Sequence, residues 1–242
     1  MNRKLGFVFT VMGWLCLVGF LCVPGTGVTE AAEGDMQNWW QPHRGLGVGH
    51  TWMGVGIDPE DLNEWLLDNN YEEFESFGMS QTTLYWSFNR KFHLGLAFYA
   101  GDSGWQNNRW DHYDPGRADM IYGSKLDLSG MGIVAEYKHR FANDRWMFHA
   151  GGGIAVYSIE LTLEDTTLGS QTLTTRYTAG AGALQLNSGI QYNISHFVGV
   201  DLELGILGIS AEEVELGGEE EESFPDLELE GAYIGLGLKI HV

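Results

Sequence analysis

Several groups of residues in this 242-residue sequence have the types that chemistry requires. Asp102, Ser103 and His112 stand in one polar stretch, and Ser195-His196 in another. A serine, a histidine and a carboxylate are what an acyl-transfer nucleophile, its base and its orienting acid need. That chemistry also needs an oxyanion-stabilising element, and neither stretch carries such a signature; Ser195-His196 has no acid nearby in sequence. His93, His149 and His241 are imidazoles of the kind that bind metals. They fall on three separate segments, so they read as hydrogen-bonding residues of an interior. Glu212, Glu213, Glu215, Glu219, Glu220, Glu221, Glu222, Asp226, Glu228 and Glu230 offer oxygen ligands, but without the D-x-D-x-D-G turn that arranges about six to eight of them around calcium. They read as a solvated loop. Trp105, Arg109, Trp110, His112 and Tyr113 put aromatics beside cations, as sugar contacts do and as loops anchored at a lipid interface also do. No catalytic, cofactor-binding or metal site is assigned, and the chain is not expected to be an enzyme.

The balance of charge narrows the partners. There are 33 acidic residues against 13 basic ones, a formal net charge of −20, so the clustered Lys and Arg that neutralise phosphates are missing and a nucleic acid is excluded. Hydrophobic content of 44% with 13% aromatics is too high for a disordered acidic chain. The first residues read as a secretory signal. Arg3 and Lys4 precede an apolar stretch from Leu5 to Val23, Pro24 to Gly27 break it, and small residues end at Ala31-Ala32. Both cysteines, Cys16 and Cys22, lie inside that stretch. Residues 33–242 therefore hold no disulfide and no thiolate site.

What positions the remaining residues is a run of period-2 segments, each with one apolar face and one face of glycine, small or polar residues. Leu46, Val48 and Trp52 share a face in the first; Leu84, Trp86 and Phe88 in the second; Phe92, Leu94, Leu96 and Phe98 in the third. A fourth runs from about Met120 to Arg140, with Leu126 and Leu128 in one phase and Ile133, Ala135 and Tyr137 in the other. That slip, beside Gly130 and Gly132, predicts a glycine bulge that keeps the apolar face outward. The fifth places Trp146, Phe148, Ile154 and Val156 in phase, and the sixth Leu184, Leu186, Ile190 and Tyr192. The seventh sets Val198 to Ile206 against Gly199, Asp201, Glu203 and Gly205. The last sets Ala232 to Val242 against Tyr233, Gly235, Gly237, Lys239 and His241.

These are eight strands, each long enough for a tilted membrane strand. Short turns (89–91, 141–144, 193–196) alternate with long connections (58–77, 102–119, 162–175, 210–230). A soluble barrel would expose the Leu/Ile stripes or bury them at the expense of a glycine face. A membrane barrel turns the stripes to lipid and crowds glycine into a narrow lumen. The fold expected is therefore all-β: an eight-stranded antiparallel up-and-down transmembrane barrel. Antiparallel closure of the seventh strand on the eighth brings Asp201 and Glu203 toward Lys239 as an interior ion pair. Trp52, Trp86, Phe88, Phe92, Trp146, Phe148, Tyr192 and Phe197 suit interfacial girdles. In the first long connection Asp58 reads as N-cap and Pro59 as N1 of a short helix. Leu62, Trp65 and Leu66 lie on one face and Asn69-Asn70 close it.

With its leader, eight alternating strands and C-terminal strand, the chain resembles the small outer-membrane β-barrel proteins of Gram-negative bacteria, the OmpX-, OmpW- and OmpA-like barrels of the porin superfamily. Gly235 to Val242 is similar to the signal that the barrel-assembly machinery reads, with Gly237, Ile240 and Val242 in the expected relative positions and Val242 where an aromatic is common. The resemblance implies a cleaved signal over 1–32, a periplasmic segment over 33–44 and a barrel over 45–242, in the outer membrane. It also implies contact with outer-membrane lipid and lipopolysaccharide, the assembly machinery as partner during biogenesis, and a monomer. An eight-stranded interior is filled by side chains, so a wide pore is not expected. A non-enzymatic structural or surface-interaction role follows. The alternatives are a narrow channel for small or apolar solutes, as in the OmpW-like branch, and a lipid A-modifying enzyme, as some small barrels are.

Overall fold

A computed structural model describes residues 45–88, 91–110, 120–141, 145–167, 172–195, 197–211, 214–216, 219–220 and 224–241. The expected signal and the segment to residue 44 lie outside the described residues, as do His112, Tyr113, His196, Glu212, Glu213, Glu221, Glu222 and Val242.

The elements in chain order are β1 (Gly45–Ile57), α1 (Glu60–Asp68), β2 (Ser76–Ser87), β3 (Phe92–Asp102), β4 (Gln106–Trp110), β5 (Met120–Arg140), β6 (Trp146–Thr167), β7 (Thr172–Asn193), β8 (Val198–Ala211), β9 (Val214–Leu216), β10 (Glu219–Glu220) and β11 (Leu227–His241). Eight of the strands pair antiparallel with their chain neighbours in the order β1-β2-β3-β5-β6-β7-β8-β11, and β11 pairs back on β1 from Gly47↔His241 to Ile57↔Gly231. The ring is closed, which leaves no open sheet edge over the paired span. Among the described residues no helix is long and apolar enough to cross a membrane.

The period-2 pattern places bulky apolar side chains outward along every strand at one end of the barrel. Leu46, Val48, Trp52, Leu84, Trp86, Leu94, Leu96, Ile133, Ile154, Leu202, Leu204, Ile234, Leu236 and Ile240 are all exposed. From Ile240 to Ala232 this belt is roughly 20 Å tall, for strands rising ~3.3 Å per residue at a tilt of about 40°. Around the short-turn end the aromatics pair on the outer wall. Trp86 stacks on Phe88 at 5.5 Å between centroids, Phe92 meets Tyr137 at 5.3 Å and Trp146 meets Tyr192 at 4.7 Å.

The bulge expected at Gly130 and Gly132 does not form. β5 pairs without interruption from Met120↔Thr167 to Arg140↔Met147, and with β3 from Phe92↔Tyr137 to Asp102↔Asp127. The strand keeps its phase, and the apolar residues change sides. Met131 and Ile133 point outward at 55% and 53% exposure, whereas Leu126 and Leu128 point inward at 0% and 3%. The same exchange occurs on β6 between Val156 and Ile159, on β8 between Leu204 and Leu207, and on β11 between Leu229 and Ile234. Beyond that height the outer wall carries Asp127, Glu160, Arg176, Ser210, Glu228 and Glu230. The surroundings explain it: apolar groups face out where hydrocarbon surrounds the wall and face in where water does.

The long connections carry more strand than expected. Much of 162–175 is strand, since β6 and β7 stay paired to Thr166↔Thr172. β4 pairs with β5, and β9 joins β7 over Tyr177 to Ala179. The helix begins one residue later than expected. Pro59 occupies the N-cap position with no side-chain hydrogen bond, so Asp58 does not cap it. Its end matches: Asn70 adopts a left-handed backbone (φ 69°), and the Tyr71 and Asn70 amides donate to the Leu66 and Leu67 carbonyls.

Candidate functional site

The lumen has three tiers. At the long-hairpin end Met53, Val55, Ile57, Phe77, Leu126, Ile159, Leu161, Ile209, Leu227 and Leu229 form one buried apolar cluster. α1 adds Leu62 and Leu66 to it, and the following turn adds Tyr71 and Phe74. Trp65 packs on Phe224 at 4.8 Å and on Tyr177 at 5.8 Å. Asn63, which the sequence reading passed over, ties this cap down: its amide donates to the Phe74 carbonyl (3.1 Å) and its oxygen accepts from the Phe74 amide (2.9 Å). The helix is thus a stopper inside the long-hairpin mouth.

The middle tier is a ring of tyrosines and glutamines. Tyr99 donates to Gln185 Oε1 (3.0 Å), whose amide donates to Tyr233 (2.5 Å) and to Gln81 Oε1 (3.3 Å). Every contact here joins strands far apart in sequence, which is why no local pattern announced it.

The tier nearest the short turns holds the charges. Asp201 Oδ2 lies 2.9 Å from Lys239 Nζ, the ion pair expected from closure of the seventh strand on the eighth. Glu203 does not join it; its Oε2 instead accepts from Asn187 at 3.2 Å. β5 supplies two members that the sequence did not point to. Glu136 Oε1 lies 3.3 Å from Lys239 and Glu136 Oε2 lies 3.5 Å from Lys138, with both lysines fully enclosed. Both ammonium groups stand over the Tyr85 ring, at 5.5 and 5.6 Å from its centre. The three inward histidines do make hydrogen bonds within the lumen. His93 Nδ1 meets Ser87 at 3.2 Å, His149 Nε2 meets Asp201 Oδ1 at 2.7 Å, and His241 meets Gln191 at 3.3 Å. Gly189 is what lets His149 reach across: a Cβ there would stand 2.5 Å from His149 Nε2.

The candidate nucleophiles are turn residues. Ser103 Oγ donates to the Gly104 carbonyl (2.8 Å) and accepts from the Leu126 amide (3.0 Å), while Asp102 accepts from the Gly104 amide (2.9 Å). Ser195 Oγ accepts from the Phe197 and Val198 amides at 3.2 and 3.1 Å. Each hydroxyl is committed to stapling a bend, and neither meets a histidine among the described residues. On the outer wall just past the belt lies a groove of about 890 Å³, where Ser80, Ala100, Ser129 and Ser158 replace bulkier residues and Asp102 and Asp127 add charge.

Tyr71 links the cap to the wall, donating to Asp165 Oδ1 at 2.5 Å. Burial, then the accepting carboxylate, push its phenol well above the usual tyrosine range. A folded-state value above the unfolded one means that this contribution is complete below about pH 10 and is lost as pH rises through the folded value. Cleavage after α1 by an alkaline-tolerant protease is therefore expected to increase above about pH 10 in the wild type. The Tyr71→Phe variant should lack that step. An identical alkaline step in the variant would assign the titration elsewhere.

A closed eight-strand ring, an apolar outer belt and a charged lumen behind that belt define a small transmembrane β-barrel of the outer-membrane type. No family model matches the chain, and no curated protein matches it. Among solved structures it is similar to Neisserial surface protein A, with 10% identity over 81% of this chain and 96% of that one and a TM-score of 0.46. It is also similar to Ail, the attachment invasion locus protein of Yersinia pestis, with 8% identity, 83% and 99% coverage and a TM-score of 0.42. A third is the outer membrane protein OprG from Pseudomonas aeruginosa, with 9% identity, 84% and 99% coverage and a TM-score of 0.44.

Proposed function

We propose that the protein is a non-enzymatic outer-membrane barrel whose acidic outer rim serves as an interaction surface. The observation that carries this reading is the filled lumen. An apolar tier and the α1 stopper close the long-hairpin end, and the tyrosine–glutamine ring closes the middle. Long hairpins face the exterior in such barrels, so the rim that meets the surroundings carries Asp61, Asp68, Glu72, Glu73, Glu75, Glu215 and Glu228. That field repels the phosphates of lipopolysaccharide and attracts cationic partners. The stapled positions of Ser103 and Ser195 support a role other than acyl transfer.

Planar-bilayer recording with purified protein tests the reading. No stepwise conductance and no solute flux into liposomes are expected. Sustained open-channel current would replace it with the narrow-channel function. A mass change in lipid A on expression of the protein would replace it with lipid modification.

A further inference from the structure

We propose that His149, Asp201 and Glu203 form a divalent-metal site inside the barrel, of the class that takes Zn²⁺ or Co²⁺. One ligand atom from each of the three lies within 4.8 Å of the others, and all three residues are buried. They stand on β6 and β8, with β7 between them. His149 pairs across Gly189 of β7, Gly189 pairs with Glu203 of β8, and Asp201 precedes Glu203 by one inward position.

Two observations point to a cation as the ligand of this cluster. Glu203 is 3% exposed and its Oε1 has no hydrogen-bond partner. Leaving such an atom buried and unanswered is costly, more so for a carboxylate. The charges are also uneven: Lys138 and Lys239 stand within ion-pair distance of Glu136 and Asp201, but neither reaches Glu203 within that distance. Glu203 is therefore the one carboxylate of this tier with no lysine within ion-pair distance.

The donor set selects the ion. One imidazole and two carboxylates suit a borderline dication better than Ca²⁺, which takes more oxygens at longer range. Lys239 holds Asp201 Oδ2 and leaves Oδ1 free to face His149. Metal bonds of ~2.0–2.2 Å at tetrahedral angles hold two ligand atoms ~3.3–3.6 Å apart, so the nitrogen and oxygen, now 2.7 Å apart, must separate by less than ~1 Å. Asn187, donating to Glu203 Oε2, orients the second carboxylate as an outer-shell group does. Gly235 keeps room for it, since a Cβ there would stand 2.9 Å from Glu203 Cγ and 3.3 Å from its Oε1.

The test refolds the full chain into detergent with Co²⁺, washes it with a chelator and measures bound metal and visible absorption. One Co²⁺ per folded barrel with ligand-field bands is expected, together with a higher unfolding temperature than the metal-free protein. His149→Gln and Glu203→Gln are each expected to lose the bands and roughly tenfold or more of the affinity. A gel shift between boiled and unboiled samples verifies that both variants are folded. Folded wild type without chelator-resistant Co²⁺ overturns the proposal. So does Co²⁺ retained unchanged in both variants, which would place it on the outer carboxylates. If either variant fails to fold, an unfolding temperature of the wild type unmoved by Co²⁺ overturns the proposal by itself.

Discussion

Lys239→Met is expected to destabilise the barrel by about 3–5 kcal/mol in the presence of chelator, the cost of removing one partner from a buried ion pair. The lysine is 1% exposed and bridges two carboxylates from different strands, Asp201 on β8 and Glu136 on β5. Its loss leaves Lys138 as the one lysine within ion-pair distance of Glu136 and none beside Asp201. Methionine keeps most of the volume over the Tyr85 ring, so the charge and not the packing is being measured. Adding Asp201→Asn removes the stranded charge while Glu136 keeps Lys138, and most of the loss should return. Unfolding by urea in lipid vesicles, read by the gel shift, gives both numbers. A cost below about 1 kcal/mol would mean that water screens this tier as it does a surface pair.

A charge on the outer wall should be nearly as damaging where the belt is thickest. Leu202 projects outward from β8 between Leu236 of β11 and Ile190 of β7. Leu202→Arg places a guanidinium near the middle of the belt, and a loss of about 2–4 kcal/mol is expected there. Ser210 lies on the same strand and faces the same way, past the height at which the apolar residues change sides. Ser210→Arg should cost no more than about 1 kcal/mol and sits opposite Glu228. The contrast within one strand is the measurement that checks the belt. Equal costs at both positions would mean that hydrocarbon does not end where the exchange of faces says it does.

Much of the candidate site depends on contacts that no local pattern encodes. The Asp201–Lys239 pair was legible because both residues sit on neighbouring strands whose register follows from hairpin closure. Glu136 and Lys138 were not, since they approach Lys239 from across the lumen. The helix face of Leu62, Trp65 and Leu66 was legible from its spacing. That Asn63 and Tyr71 fasten it to Phe74 and Asp165 was not, because a stopper and its socket meet only after closure.

The fourth segment shows the division most clearly. Alternation is a local property of an extended chain, so the sequence alone determined eight strands, their antiparallel order and the pairing of opposite faces. It also set the inward glycines apart from the outward leucines. Which face an apolar residue takes depends on what lies outside the wall at that height, and a strand does not carry that information by itself. Leu126 and Leu128 looked displaced by a bulge, yet they lie on an unbroken strand that has left hydrocarbon for water. Only the closed ring, by setting every strand to a common height, decided where the apolar face turns inward.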